Sequence, residues 1–314
     1  SDMEIDVIIP LYKPGKELFT LLDKLGSQSV PVHQVILLNT EEKYFDQLIY
    51  GIRFLETYQN IKVYHVSKRE FDHGGTRRMG VKKSSADVFV MMTQDAMPKD
   101  DRLIEKLVEP LQGEVAVAYA RQLPREDSTP VESYTREFNY PAKSRIKSAA
   151  DLDSLGIKTF FCSNVCAAYR REIYEELGGF VRHTIFNEDM IYAAKAVEAG
   201  YSVAYAADAQ VVHSHNYTNG QQFHRNFDLG VSQAEHPEIF AAYPSESEGK
   251  RMVKDVTVYL RSNHMSAGLP HFYMQCACKY AGYLLGKNYR RLPKKWVLAF
   301  TSNKEYWKQN RKDV

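Results

Sequence analysis

Short apolar runs alternate with helical periodicity through the first third of the chain. Residues 6–12 are almost continuously apolar and stop at Lys13-Pro14-Gly15, which predicts a buried strand closed by a turn. Leu18, Leu21, Leu22 and Leu25 then recur at helical spacing, so an amphipathic helix is expected to follow. Residues 34–39, 61–66 and 87–92 read as three further strands, with helices over 44–58 and 74–84 between them. This alternation predicts α/β architecture with a parallel, doubly wound sheet.

Beyond residue 92 the pattern loosens. A strand is expected over 115–120, followed by a polar, weakly periodic excursion over 123–157. Residues 160–169 look like a strand and 170–177 like a helix, broken by Gly178-Gly179. A helix over 187–199 ends at Gly200, a suitable residue just past a helix end. Two short strands are expected at 202–205 and 209–213, and from Gly220 onward the pattern is mostly helical, with a mobile loop over 220–226 as an option.

Composition narrows the class. A chain of 314 residues with 44% hydrophobic residues can bury a full core, and a net charge of +2 argues against a nucleic-acid partner. The four cysteines stand as Cys162/Cys166 and Cys276/Cys278, spacings that suit neither a zinc knuckle nor a disulfide framework, so free thiols are expected. No signal-like start or membrane-length apolar run is found, and Ser1-Asp2 reads as a tag scar.

In open α/β sheets, ligands bind beyond the carboxyl ends of the strands. Pro10-Leu11-Tyr12, Asn39-Thr40-Glu41 and Thr93-Gln94-Asp95 are three such ends, and a parallel sheet brings them to one rim. Asp95 suits a hard divalent cation, Mg or Mn, shared with a diphosphate; an Asp capping the next turn is the structural alternative. Asp72-His73-Gly74-Gly75-Thr76-Arg77 opens a helix whose glycines permit close backbone approach and whose N-terminus favours phosphate. His224 or Arg225, in the 220–226 stretch, could offer charge to a bound phosphate from a mobile loop; an ordinary polar surface loop is the alternative.

In order and spacing, these features resemble glycosyltransferase family 2, inverting enzymes with the GT-A fold, over about the first 225 residues. The resemblance rests on Val7-Ile-Ile-Pro-Leu-Tyr12, Thr93-Gln94-Asp95 in the Asp-x-Asp position, Gly178-Gly179-Phe180 and Asn187-Glu188-Asp189. Phe71 to Arg77, with Thr93-Gln-Asp-Ala96, looks like the rhamnosyltransferase branch that uses dTDP-L-rhamnose. It implies Asp189 as general base, with Glu188 beside it bonding a sugar. It implies donor contacts from Pro10, Tyr12, Thr40, Glu41, Asp72, Arg77, Gln94, Asp95 and Arg225. Thr93 departs from the first Asp of the pattern, and the resemblance offers His213, then His215, as imidazole help for Asp95.

The expected organisation is a GT-A catalytic domain over 3–225, with a nucleotide half (3–95) and an acceptor half (96–225), and a helical C-terminal segment over 226–314. The expected reaction moves L-rhamnose from dTDP-β-L-rhamnose to a hydroxyl of a saccharide, itself lipid-linked. The alternatives are a UDP-hexose or UDP-galactofuranose donor, or a non-catalytic sugar-nucleotide binder. Basic and aromatic residues from Phe272 to Trp307 suit peripheral contact with the cytoplasmic face of a membrane, or else a helix pair packed on the catalytic domain or on a second subunit in a homodimer.

Overall fold

The continuous apolar runs become central strands. In the computed structural model, which describes residues 3–309, β1 (Ile5–Tyr12), β2 (Gln34–Thr40), β3 (Ile61–Val66) and β4 (Val88–Met92) pair in parallel in the order β3-β2-β1-β4. Ile5, Val7, Ile8 and Ile9 are all buried, so both faces of β1 are covered and no alternation is seen. The Ser1-Asp2 pair and the last five residues of the predicted C-terminal segment lie outside the described residues.

The second half of the sheet is mixed. β5 (Met97–Pro98), β6 (Val115–Leu123), β8 (Cys166–Arg170) and β9 (Ser202–Val212) complete the order β3-β2-β1-β4-β8-β6-β9-β5, and β7 (Arg145–Lys147) pairs with β9. β8 lies between β4 and β6 and runs antiparallel to both. The sheet is thus parallel through its first four strands and mixed beyond, a distinction an apolar run cannot carry, because a buried strand reads the same in either direction.

Other expectations change for local reasons. The helix predicted over 44–58 divides into Glu42–Ile49 and Phe54–Thr57, separated near Gly51, whose φ of +74° turns the chain. Residues 160–169 are not one strand: a 3₁₀ turn covers Gly156–Phe160, and pairing begins only at Cys166. The two strands expected after Tyr201 are one, β9, whose pairing with β6 slips between Ala206 and Gln210 and leaves Asp208 exposed. The polar excursion contains a helix, Pro130–Asn139, and β7.

The helical pattern from Gly220 is borne out, and the loop considered over 220–226 is part of that helix. Thr218 accepts from the Gln221 backbone N–H, and the Gln221 side chain accepts from Thr218 N, a reciprocal cap that starts the helix Asn219–Glu235.

The described chain forms two compact units. The first holds the sheet: the chain up to Leu123, Tyr140–His183 and Glu188–His213. The second comprises Pro124–Asn139, Thr184–Asn187 and the chain from Ser214 on. Within it, helices Asn219–Glu235 and Leu269–Lys287 cross closely. A Cβ on Gly230, Gly282 or Gly286 would strike the backbone carbonyl of Tyr283, Phe223 or Phe227 respectively. Pro130–Asn139 packs on Glu246–Ser262, with Tyr134 stacked 4.3 Å from Tyr259. Helix Asn219–Glu235 runs unbroken through residues 225 and 226, where the sequence placed a domain boundary. No described helix is long and apolar enough to cross a membrane.

Candidate active site

Parallel pairing of β1, β2 and β4 gathers their carboxyl ends at one rim. Gln94 fastens two of these ends together: its Oε1 accepts from Tyr12 N at 2.9 Å, and its Nε2 donates to Tyr12 O at 3.0 Å. Tyr12 is 38% exposed and meets Tyr44 edge to face, with the ammonium groups of Lys13 and Lys68 at 5.3 and 5.7 Å from its ring centre. Thr40 is buried below this surface and Pro10 is half-buried. Glu41 adopts φ +67°, a left-handed conformation costing about 1–2 kcal/mol for a residue with a Cβ. Its Oε1 accepts from Lys68 N at 2.7 Å. Sequence reasoning passed over Lys13, Tyr44 and Lys68; for Lys13, the signal was a cation immediately after a strand end.

Asp95 follows β4, where Thr93 donates to its Oδ1 at 2.8 Å. The same carboxylate oxygen lies 3.3 Å from His213 Nε2. His213 Nδ1 faces Gln122 Oε1 at 3.0 Å, and Gln122 Nε2 donates to Ser163 Oγ at 3.1 Å. With an acceptor at Nδ1, the ring hydrogen sits there, and the Nε2 lone pair points toward a carboxylate. Two acceptors facing each other at that distance require a proton or a cation between them. An imidazole whose other nitrogen donates to a fixed carbonyl is the usual support for a metal-ligating His. The residues present therefore fit a divalent cation. β9 ends at Val212, before both imidazoles, so the same-face argument, which needed the strand to run on through them, carries neither; His215 belongs to the second unit.

The acid pair is built from a different part of the chain. Gly178 and Gly179 take φ +86° and +77°, and Arg78 donates to the carbonyls of Gly178 and Phe180. Phe180 is 1% exposed among Phe89, Tyr169, Tyr174 and Tyr192, burial worth about 2–3 kcal/mol. This anchor leads the chain toward the helix Glu188–Glu198, whose first turn carries both acids. Glu188 is buried, 3.2 Å from Arg77 Nε and 3.7 Å from His73 Nδ1, and accepts from Asn164 Nδ2 at 3.2 Å. Asp189 is only half-buried; it accepts from Asn164 N and Met190 N, both at 2.8 Å.

Electrostatics separate the two carboxyls. Burial raises Asp189, and the negative Glu188 beside it raises it further, to about 7. Burial also pushes Glu188 up, but Arg77 and His73 outweigh it and hold Glu188 below the usual carboxylate range. One acid stays ionised while its neighbour titrates near neutrality, the pattern that separates acid–base roles.

Four residues expected at the donor or its diphosphate have other partners here. Asp72 is the N-cap of the helix His73–Lys82: its Oδ1 accepts from Gly74 N and Gly75 N, both at 2.9 Å, and its Oδ2 lies 2.7 Å from His183 Nδ1. That helix start is closed by a carboxylate, and a Cβ on Gly74 would strike the carbonyl of Val181, so this glycine serves packing. Arg77 is engaged by Glu188 and donates to His73 O at 3.1 Å. Arg225 is in the second unit, its guanidinium 4.5 Å from the Tyr217 ring centre, and His224 donates toward Phe300 O at 2.8 Å. The four cysteines are free.

A parallel half-sheet with a carboxylate–imidazole pair at its rim, joined to a mixed half delivering two acids on a helix start, defines a GT-A glycosyltransferase. The chain belongs to Glycosyl transferase family 2, whose pattern matches residues 6–178. It is 40% identical over 311 residues to the O-antigen chain rhamnosyltransferase RfbN of Salmonella typhimurium, covering 97% of this chain and 96% of that protein. The O-antigen chain rhamnosyltransferase WbaN of Salmonella anatum is 37% identical, over 96% of this chain and 95% of its own length. Among solved structures, a mannosyltransferase from Pyrobaculum calidifontis in complex with GDP-Man and Mn2+ superposes with a TM-score of 0.62. It has 15% identity and covers 93% of this chain and 89% of that one.

Proposed function

We propose that this enzyme transfers L-rhamnose from dTDP-β-L-rhamnose, with inversion, to a hydroxyl of a lipid-linked saccharide in cell-surface polysaccharide synthesis. The rhamnosyl assignment leans on identity to two O-antigen rhamnosyltransferases along nearly the whole chain. The mechanism leans on one observation, the contrast within the acid pair. Glu188 is buried and locked by Arg77, whereas Asp189 is half-buried, with a pKa raised to near neutrality.

Asp189 takes the proton of the acceptor hydroxyl as its oxygen attacks the anomeric carbon opposite the leaving nucleotide. Tyr12 and Glu41 meet the nucleotide at the rim, with Pro10, Thr40 and Gln94 forming the wall beneath and Asp72 ordering the adjoining helix. Asp95 and His213 would hold a divalent cation, Mg or Mn, whose chemistry is to offset charge on the departing diphosphate; His215, two residues on in sequence, is the other imidazole offered for it.

The helix Leu269–Lys287 exposes Tyr273, Met274, Tyr280 and Leu284 along one face, and Arg290, Arg291, Lys294 and Lys295 follow, all exposed. We assign this surface to the anionic cytoplasmic leaflet, where the lipid-linked acceptor would reside.

A donor-hydrolysis and transfer screen tests the reading: dTDP-β-L-rhamnose against UDP-hexoses and UDP-galactofuranose, with and without EDTA. Turnover confined to a UDP donor would overturn the rhamnosyl assignment, and near wild-type turnover by Asp189→Asn would overturn the base.

A further inference from the structure

We propose that Asn164 is a positioning residue for the transfer: one buried side chain and its own backbone N–H fix both acids, and its neighbours fix the metal pair. The inference rests on Asp189 as the base and extends that reading to a residue outside the acid pair itself.

The geometry is specific. Asn164 is 3% exposed. Its N–H donates to Asp189 Oδ2 at 2.8 Å, and its Nδ2 donates to Glu188 Oε1 at 3.2 Å. Its Oδ1 accepts from the fully buried Tyr169 hydroxyl at 2.6 Å. A side-chain amide can turn over and exchange its oxygen for its nitrogen. The ionised Glu188 opposes that here, because it can only accept and a flipped amide would turn its oxygen on the carboxylate; the Tyr169 hydroxyl then donates to the Oδ1 that remains.

The residues on either side extend the arrangement. Ser163 Oγ accepts from Gln122, whose carbonyl orients His213 against Asp95. Val165 O accepts from Thr93 N at 3.1 Å, two residues before Asp95. Three consecutive residues leading into β8 therefore touch the base, its buried partner, the imidazole support and the β4 end. Such a bracket holds the cation side and the proton-accepting side at a fixed separation, which is what an in-line displacement requires. β8 enters between β4 and β6 in the reverse direction, so its leading end arrives at the rim where the parallel strands finish.

The charged and titratable groups around Asp189 are Glu188 on its own helix, Arg77 and His73 on the facing helix, and Cys162 and Tyr169 beside Asn164. None of them is altered by Asn164→Ala, which adds no charge, so a change in proton uptake in that variant reports on positioning.

The test uses the full-length enzyme with Asn164→Ala, Asn164→Asp, Tyr169→Phe and Asp189→Asn, reading kcat, donor KM, the pH profile of kcat/KM and the thermal shift given by dTDP. Asn164→Ala is expected to lower kcat about 10- to 100-fold while donor KM and the dTDP shift stay near wild type. Asn164→Asp adds a negative charge beside the pair and is expected to move the acid limb up by about one pH unit. Tyr169→Phe releases the amide and is expected to lower kcat roughly 3- to 10-fold. It also decides the matter if the Asn164 variants do not fold. Wild-type kcat and an unmoved acid limb in Asn164→Ala and Tyr169→Phe, with Asp189→Asn inactive, would overturn the positioning role alone. Retained turnover in Asp189→Asn would instead overturn the base assignment beneath it.

Discussion

Replacing Arg77 with Met leaves Glu188 buried without its cation. The Arg77 and Glu188 side chains are 7% and 5% exposed and meet at 3.2 Å, so almost no water can take over the lost contact. Removing one member of such a pair costs about 3–5 kcal/mol, and because Asn164 still donates to Glu188, the lower end, about 3 kcal/mol, is expected. For a chain of 314 residues at typical unfolding entropy, that lowers the melting temperature by roughly 5 °C. The double variant Arg77→Met/Glu188→Gln has no buried charge left and should return to within about 1 kcal/mol of wild type. Thermal melts and guanidinium titrations of the four proteins measure this directly. Kinetics add an independent reading: an arginine engaged by Glu188 leaves donor KM nearly unchanged when removed, whereas an arginine on the diphosphate raises it more than tenfold, and Glu188→Gln does not restore it. Undiminished stability in Arg77→Met, or no recovery in the double variant, would falsify the buried-pair argument.

Asp189→Asn should abolish transfer, and wild-type kcat/KM should rise with pH through about 7, since the base works only when ionised. The raised carboxyl also contributes stability that is complete below about pH 4 and lost as pH rises through about 7, so Asp189→Asn should melt above wild type at pH 8, with the gap closing toward pH 4. Gln122→Leu removes the carbonyl that orients His213; metal titration followed by calorimetry or activity should show affinity reduced about 10- to 100-fold, with the fold intact by circular dichroism. At position 41, Gly should exceed Ala in stability by about 1 kcal/mol, because only Gly takes φ +67° without strain, while both raise donor KM; equal stability would remove strain from the account.

The rim was legible because its chemistry lies immediately after apolar runs: Tyr12, Glu41 and Asp95 each end or follow a strand that burial makes plain. Glu188 and Asp189 were legible as a motif, and their helix begins where the sequence placed it to within a residue. What escaped was partnership. Nothing local in Asp72-His-Gly-Gly-Thr-Arg77 reveals that Arg77 meets an acid more than a hundred positions later, or that Asp72 occupies the amides a phosphate would otherwise take. Asn164 escaped for the same reason, since an isolated Ser-Asn before a strand looks like an ordinary turn. Strand direction was hidden too, because β8 carries the same small apolar residues whichever way it runs.

The glycine crossing in the second unit has a consequence for variation. Gly230, Gly282 and Gly286 bring one helix backbone against the carbonyls of the other, so at those three points there is no side-chain volume to trade. Compensating substitutions, large for small on one side and small for large on the other, have nothing to act on there. Random mutagenesis of this unit should therefore record three positions that accept glycine alone, while Tyr273, Met274 and Tyr280 on the exposed face of the same helix drift freely unless a lipid or partner holds them. The pattern of permitted letters along one helix would then reveal what that outward face touches in the cell.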